Sequence, residues 1–294
     1  MYHSLQIKDS LSLREVSMRR LVDLFSIEYV RFKNLSGRTE EGYRTAVASL
    51  LNVIGEVTSK QITSKDIKEW HNYMLENNYA MGTIRSHLSR IKNLFEWSNS
   101  KGLTNFPVND IIYPKTTITP PRFVTTEDVS QMIKVTTKGR DKAVISLLYA
   151  SGLRSSELSG LNRSSLTGNQ LQILGKGHKY RLGFIDARTA FLIATYLDGR
   201  NDNLAPLFIT NRGTRLEKEI IARIVKTAVL SAGLDESVTP HTLRHGYATN
   251  LLRNGCNLRY IQELLGHSNI QTTMLYTHVL DDDLSTNYKR YHSI

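Results

Sequence analysis

A proline-rich stretch limits what this chain can fold into. Residues 103–123 hold four of the six prolines and show little hydrophobic periodicity. Such a segment neither continues a helix nor fills the middle of a sheet, and it is typical of an extended connection. A length of 294 residues also favours about two domains. We therefore predict a first domain over residues 13–102, a linker over residues 103–123 and a second domain over residues 124–294.

The first domain has the hydrophobic spacing of a small helical bundle. Apolar residues recur at helical intervals in four segments, which predicts helices over about residues 13–32, 39–54, 64–78 and 81–98. Each basic residue that this pattern leaves exposed fits an ordinary solvated surface. As a set on a basic chain, they are candidate contacts to a nucleic-acid backbone: Lys65, Lys68, Arg85, Arg90 and Lys92.

The second domain mixes helices with one hairpin. Two short alternating segments, residues 170–174 and 180–185, flank a glycine- and lysine-containing tip and predict two antiparallel strands. The remaining periodic segments predict helices over about residues 126–135, 141–150, 188–198, 217–232, 240–253 and 257–265, with a last one from about residue 269. The expected fold is mainly α with a small β-sheet, an α+β arrangement.

Charge and composition narrow the class of protein. The net charge is +11, made up of 16 Lys and Arg against 12 Asp and Glu in residues 1–120, and 22 against 15 in residues 121–294. An excess spread over both parts favours a polyanionic partner, either nucleic acid or an anionic membrane. One cysteine excludes an intrachain disulfide, and no apolar run is long enough to span a bilayer. We expect a soluble, cytoplasmic protein.

The segment from Thr239 to Thr249 carries the clearest chemical pattern. Thr239 and Pro240 suit the cap and first position of a helix, which places His241 and Arg244 on one face near its positive end. An imidazole beside a guanidinium at such a place is suited to gripping an anion, most obviously a phosphate.

Two other kinds of site fit this chain poorly. His241 and His245 have the spacing of a metalloprotease zinc pair, but Thr242 stands where that motif has its glutamate base, and no cysteine is near. The Gly175-Lys-Gly177 segment lacks the spacing of a phosphate-binding P-loop. We therefore expect neither a metal nor a nucleotide cofactor.

Six residues together have the chemistry of metal-free phosphoryl transfer on DNA: Arg154, Lys176, His241, Arg244, His267 and Tyr276. Paired guanidiniums neutralise the charge on the non-bridging oxygens, and a tyrosine phenol forms a covalent phosphoester. A histidine helps to remove the phenolic proton, and a lysine protonates the departing 5′ oxygen. Any one of these residues alone has an ordinary structural interpretation.

These residues lie in four motifs, Ala150-Ser-Gly-Leu-Arg-Ser-Ser-Glu-Leu158, Gly175-Lys-Gly-His-Lys-Tyr-Arg181, His241-Thr-Leu-Arg-His-Gly-Tyr-Ala-Thr249 and Leu264-Leu-Gly-His-Ser-Asn-Ile-Gln-Thr-Thr-Met-Leu-Tyr-Thr-His278. In order and spacing they resemble the motifs of the tyrosine recombinases, or phage-type integrases, and the chain is similar to simple two-domain, Xer-like members. It departs from them at Gly246-Tyr247, where Ser-Phe is common, and at Gly183-Phe184, where Val-Pro is common.

The resemblance implies a SAM-like core-binding domain followed by a catalytic domain, and a role for each residue. Arg154 and Arg244 would clamp the scissile phosphate, and His267 would hold a non-bridging oxygen. His241 would bond the phosphate and accept a proton from Tyr276, the nucleophile that forms a 3′-phosphotyrosyl link. Lys176 would be the general acid. Glu157 would support the site. Apart from the resemblance, the basic hairpin residues Lys179 and Arg181 are further candidate contacts to DNA.

The resemblance also implies partners. Four protomers, either identical or including a second recombinase, would exchange strands on double-stranded DNA through a Holliday junction. The reaction would need no metal or cofactor. The tail over residues 281–294 would dock on a neighbouring protomer. Chromosome or plasmid resolution and mobile-element integration are both open. A non-catalytic DNA-binding regulator and a type IB topoisomerase are the alternatives. The former would not need all six residues, and the latter would relax supercoils without strand exchange.

Overall fold

The structure, a computed structural model, describes residues 16–33, 37–114, 123–175 and 180–266. The chain divides into two compact units with the boundary between residues 118 and 119, and each unit has its own hydrophobic core. The predicted fold class, mainly α with a small sheet, is confirmed. None of the helices in these described ranges is both long and apolar enough to cross a membrane.

The described part of the first unit is a helical bundle. Its helices are α1 (Met18–Phe25), α2 (Gly37–Ile54), α3 (Ser64–Glu76) and α4 (Met81–Ser100). Where the sequence predicts one continuous helix, α1 passes into a π-helical turn, Ser26–Val30, in which the Tyr29 ring stacks on Phe25 at 4.7 Å. The core is aromatic at its centre, where Trp70 is fully buried and donates its indole N–H to Ser49 Oγ at 3.0 Å.

The start of the predicted linker belongs to this first core. Phe106 and Ile111 are buried among the bundle helices, and a 3₁₀ turn, Val108–Asp110, lies between them. Asn99 holds the segment by donating to the Phe106 carbonyl at 2.7 Å. The prediction of an extended connection over residues 103–123 was therefore wrong for this part, because two large apolar side chains interrupt the proline-rich sequence and pack in the bundle.

The second unit combines helices with one antiparallel sheet. The described helices are α5 (Thr126–Val135), α6 (Gly139–Ser151), α7 (Ser155–Gly160), α8 (Ala187–Asp198), α9 (Lys218–Ser231), α10 (Pro240–Arg253) and α11 (Leu258–Leu265). The apolar helix α6 is the centre, because α5, α8, α9 and α10 all pack against it. Its residues Val144, Leu147 and Leu148 are fully buried.

The sheet has the strand order β1-β2-β3, with β1 (Leu166–Thr167), β2 (Gln170–Leu174) and β3 (Tyr180–Phe184). On β2, Leu171 and Ile173 point into the core, and they pair with Gly183 and Arg181 on β3. The inward face of β3 therefore carries a glycine and an arginine. Its apolar residues are on the outward face instead, and Tyr180 is 65% exposed.

Candidate active site around Glu157

The site begins at the end of α6. Gly152 closes that helix in the left-handed conformation, with φ of 59°, which favours glycine. A Cβ at this position would also lie 2.4 Å from Cδ1 of Tyr247 on α10. The sharp turn brings the chain through Arg154 directly into α7, so that Arg154 and Glu157 lie together at the start of a new helix.

The guanidiniums of three arginines lie close to one buried carboxylate. The Glu157 side chain is 5% exposed, and its oxygens lie 2.7 Å from Arg154 Nη1, 2.9 Å from Arg181 Nη2 and 3.6 Å from Arg244 Nη1. The backbone N–H of Arg154 also donates to Glu157 at 2.9 Å. A buried charge is tolerated only with partners of this kind, so the carboxylate fixes where the guanidiniums lie.

The pKa of Glu157 reflects these opposing influences. Burial alone would raise the pKa, but Arg181, the backbone N–H of Arg154 and the charges of Arg154 and Arg244 lower it, and the net pKa is below its usual range. Glu157 is therefore a carboxylate at neutral pH.

Arg244 lies on the first turns of α10 and is 1% exposed. Its Nη1 donates to the Gly152 carbonyl and its Nη2 to the Leu265 carbonyl, both at 2.6 Å. These bonds join the end of α6 to the end of α11. The Arg154 side chain, in contrast, is 40% exposed. The structure thus brings the two predicted clamp arginines to one carboxylate, with Arg154 as the more accessible of them.

His241 lies at the second position of α10, on the same side as these arginines. Thr239 caps the helix by accepting from the Thr242 backbone N–H, and Pro240 occupies the first position as predicted. His241 is exposed at the surface, but packing on its protein side lowers its pKa, and the charges of Arg244 and Arg154 lower it further. The imidazole is thus neutral near pH 7 and can accept a proton.

His245 packs edge-on against His241, with ring centroids 4.3 Å apart. Burial, followed by the charges of His241 and Arg244, lowers the pKa of His245 to about 4. In the ranges that the structure describes, no group of three His, Cys, Asp or Glu residues is close enough to hold a metal ion.

Gly246 explains one departure from the expected motif. A Cβ there would lie 2.5 Å from the Val124 carbonyl oxygen and 3.1 Å from Cε2 of Tyr149. A serine in this place would clash with backbone, so α10 packs here through a bare glycine.

Arg181 is in a different place from the one that we expected. As a DNA contact it would be on the surface, but its side chain is 11% exposed. Its Nη2 donates to Glu157 and its Nη1 to the Leu264 carbonyl. The alternation of β3 predicts the opposite orientation, because apolar residues at positions 180, 182 and 184 ordinarily mark the inward face, so no local sequence signal indicated an inward arginine.

The five basic candidates of the first unit lie in three different environments. Lys65 and Lys68 are exposed on α3. Arg85 donates to the Pro114 carbonyl at 2.8 Å and lies over the Tyr113 ring, which Lys92 also approaches. The Arg90 side chain packs against Gly42 of α2, where an added Cβ would lie 2.8 Å from Nε of Arg90.

Some predicted residues lie outside the part of the chain that the structure describes. They are Lys176, Lys179, His267, Tyr276 and the tail over residues 281–294.

Comparison with known proteins agrees with this arrangement. The sequence profile described as "Phage integrase family" matches residues 122–283, and that of "Phage integrase, N-terminal SAM-like domain" matches residues 25–104. The first match covers the whole of the site described above.

Two similar relatives are tyrosine recombinases. The chain is 34% identical over 268 residues to XerC of Herpetosiphon aurantiacus, covering 85% of this chain and 87% of that protein. It is also 34% identical over 278 residues to XerD of Oceanobacillus iheyensis, covering 88% and 94%.

Among solved structures, a lambda integrase dimer bound to a COC′ core site has the same fold, with a TM-score of 0.75 at 15% identity, covering 89% of this chain and 95% of that one. This likeness shows the fold, whereas the two profile matches and the Xer relatives show the family. The chain belongs to the phage integrase family and is a site-specific tyrosine recombinase.

Proposed function

We propose that this recombinase cleaves duplex DNA with Tyr276, forming a 3′-phosphotyrosyl intermediate, and exchanges strands through a Holliday junction. The observation that supports this best is the sharing of the Glu157 carboxylate by Arg154 and Arg244, which come from segments far apart in the sequence. Fixed guanidiniums beside a neutral histidine suit a phosphodiester whose negative charge increases in the transition state.

Cleavage would be a single displacement at phosphorus. The Tyr276 oxygen bonds to phosphorus while the bond from phosphorus to the 5′ oxygen breaks. His241 accepts the phenolic proton, and Lys176 gives a proton to the 5′ oxygen. His267, Arg154 and Arg244 hold the non-bridging oxygens. Rejoining is the same step in reverse, with a 5′ hydroxyl as the nucleophile.

The two arginines would enter this step differently. Arg154 can meet a phosphate where it lies, because 40% of its side chain is exposed. Arg244 is 1% exposed, so contact with the phosphate requires DNA binding to uncover it. Two of its five N–H donors hold backbone carbonyls, which would keep the guanidinium plane fixed during that change.

The proposed partner is a double-stranded recombination site, like the DNA bound by the lambda integrase dimer. The basic candidates Lys65, Lys68, Arg85, Arg90, Lys92 and Lys179 would contact its backbone, and the net charge of +11 suits that partner. We further propose a tetramer on DNA, formed by four copies of this chain or with a second recombinase, acting in the cytoplasm. The first domain would extend over residues 13–102 together with the packed segment through Ile111, and the second over residues 124–294.

A suicide-substrate experiment tests the chemistry. The full chain is incubated without Mg²⁺ with nicked duplexes that carry candidate recombination sites, so that a cleaved strand end diffuses away and the covalent complex accumulates. We expect a slow-migrating DNA–protein band on a denaturing gel, and its absence with Tyr276→Phe. A duplex bound in a native gel but never trapped would indicate a non-catalytic binder. Trapping with supercoil relaxation but no strand exchange would indicate a topoisomerase.

A further inference from the structure

We propose that Arg181 is a positioning residue for DNA cleavage, which fixes the arginine–carboxylate group to the hairpin and to the end of α11. The inference rests on the proposed function, because it assigns a role within that site. The Arg181 guanidinium donates two hydrogen bonds, one to Glu157 Oε2 at 2.9 Å and one to the Leu264 carbonyl.

Three segments that carry proposed catalytic residues meet at this one side chain. Glu157, which holds Arg154 and Arg244, is on α7. Arg181 itself is on β3 and follows Lys176 by five positions in the hairpin sequence. Leu264 is in the last turn of α11, and His267 comes three residues later. A change in the Arg181 side chain would therefore alter the relative positions of all three segments.

The packing around Arg181 leaves little room for another side chain. Gly266, which ends α11 with φ of 63°, lies directly against it. A Cβ on Gly266 would be 2.9 Å from Cδ of Arg181 and 3.0 Å from its Nε. That Nε is buried, and no acceptor among the described residues reaches it. The guanidinium is thus held between α7 and the end of α11.

Arginine suits this position better than lysine. Its planar group presents separate N–H donors to two acceptors at fixed angles, whereas a lysine has one nitrogen on a flexible stem. Lysine would keep a positive charge near Glu157 but would not bridge Glu157 and Leu264 in the same way. Methionine, of similar length, would remove both the charge and the bridge.

The charge of Arg181 also acts on Glu157. The groups that face this carboxylate are Arg154, Arg181 and Arg244, and after burial, which raises the pKa of Glu157, Arg181 has the largest influence and lowers it. Without Arg181, the pKa of Glu157 rises toward the assay range. The carboxylate would then be protonated, and would release its arginines, at a higher pH than in the wild type.

The experiment compares Arg181→Met and Arg181→Lys with the wild type, on a nicked duplex that the wild type cleaves and at saturating DNA. Arg212→Met is the matched control, since Arg212 is exposed on a loop of the same unit. We expect Arg181→Met to form the covalent complex about 100-fold more slowly, as a misplaced catalytic group does. We expect Arg181→Lys to be intermediate and Arg212→Met to match the wild type.

Two readouts separate positioning from other roles. DNA affinity and its dependence on salt should stay as in the wild type, because Arg181 does not contact phosphate, and the acidic limb of the pH–rate profile should move to higher pH in Arg181→Met. A weaker salt dependence would identify Arg181 as a DNA contact and overturn the inference. If Arg181→Met melts below the assay temperature, the slower cleavage by folded Arg181→Lys decides, and a wild-type rate there overturns it.

The failure of this inference differs from the failure of the proposed function. If the wild type forms no covalent complex on any duplex that it binds, the proposed function and this inference both fall. If the wild type cleaves and Arg181→Met cleaves at the same rate with the same pH profile, only the inference falls.

Discussion

At the residue scale, Glu157 determines what its neighbours can do. Because Arg154, Arg181 and Arg244 all lie within 3.6 Å of one buried carboxylate, their guanidiniums are fixed before any DNA arrives. Once DNA binding has uncovered Arg244, preorganised donors of this kind need little reorientation when negative charge develops. Burial, followed by the charges of Arg244 and Arg154, lowers the pKa of His241, and a neutral imidazole suits a proton acceptor.

His245 gives a prediction for stability against pH. Burial and then the charges of His241 and Arg244 lower its pKa to about 4, whereas an unfolded histidine titrates near ~6.5. Between these values the unfolded state binds the proton and the folded state does not, so stability falls as the pH falls. We expect His245 to account for a loss of at most about 3 kcal/mol over that window.

The measurement is urea unfolding of the full chain at several pH values, for the wild type and for His245→Asn, which does not titrate. Circular dichroism is the appropriate readout, because both tryptophans, Trp70 and Trp97, are in the first unit. The wild type should lose more stability than the variant between pH 6.5 and pH 4. Parallel curves would show that the folded state does not depress this pKa.

The sequence identifies most residues of the site but not their contacts. His241 and Arg244 follow from a helix cap and a helical spacing, both of which are local. Arg181 does not, because its role depends on Leu264, which lies 83 residues away, and on Glu157. In the sequence, Arg181 is one of many basic residues on a basic chain, which favours a contact with DNA over a buried position.

At the element scale, the end of α6 is where packing and function meet. Gly152 has φ of 59°, its carbonyl accepts from Arg244, and a Cβ on it would lie 2.4 Å from the Tyr247 ring on α10. A side chain there would separate α10 from α6. Since α10 carries His241 and Arg244, such a change would disturb the site as well as the core.

We therefore expect Gly152→Ala to cost about 3 kcal/mol or more, from left-handed strain and overpacking together. Gly168→Ala is the control, because Gly168 has φ of 57° but nothing within 4 Å of its added Cβ, and strain alone costs about 1–2 kcal/mol. Urea unfolding followed by circular dichroism measures both. Equal losses would mean that the contact with Tyr247 yields without cost.

The hairpin shows what hydrophobic alternation can and cannot predict. It gave the two strands, but apolar Tyr180, Leu182 and Phe184 would ordinarily mark the inward face of β3. Instead they are 65%, 55% and 47% exposed, because the pairing with Leu171 and Ile173 turns Arg181 and Gly183 inward. Register is a tertiary property, and the need of Glu157 for a partner is not visible in the strand itself.

At the scale of the whole molecule, the sequence predicts that there are two units, but it predicts the residue at which the first unit ends less well. Prolines indicated a connection over residues 103–123, but Phe106 and Ile111 continue the first core. The composition distinguishes the segment from its neighbours. Whether its two apolar side chains are buried depends on the space between the packed helices, which the local sequence does not show. The helical bundle and the α+β unit were both predictable from periodicity and length.

We propose that Tyr276 holds a DNA 3′ end during strand exchange. The most direct measurement is mass spectrometry of the trapped covalent complex after nuclease and protease digestion. We expect one modified peptide, which contains Tyr276 and carries a nucleotide through its 3′ phosphate. A nucleotide on any other residue of the chain, or an adduct linked through a 5′ phosphate, would contradict it.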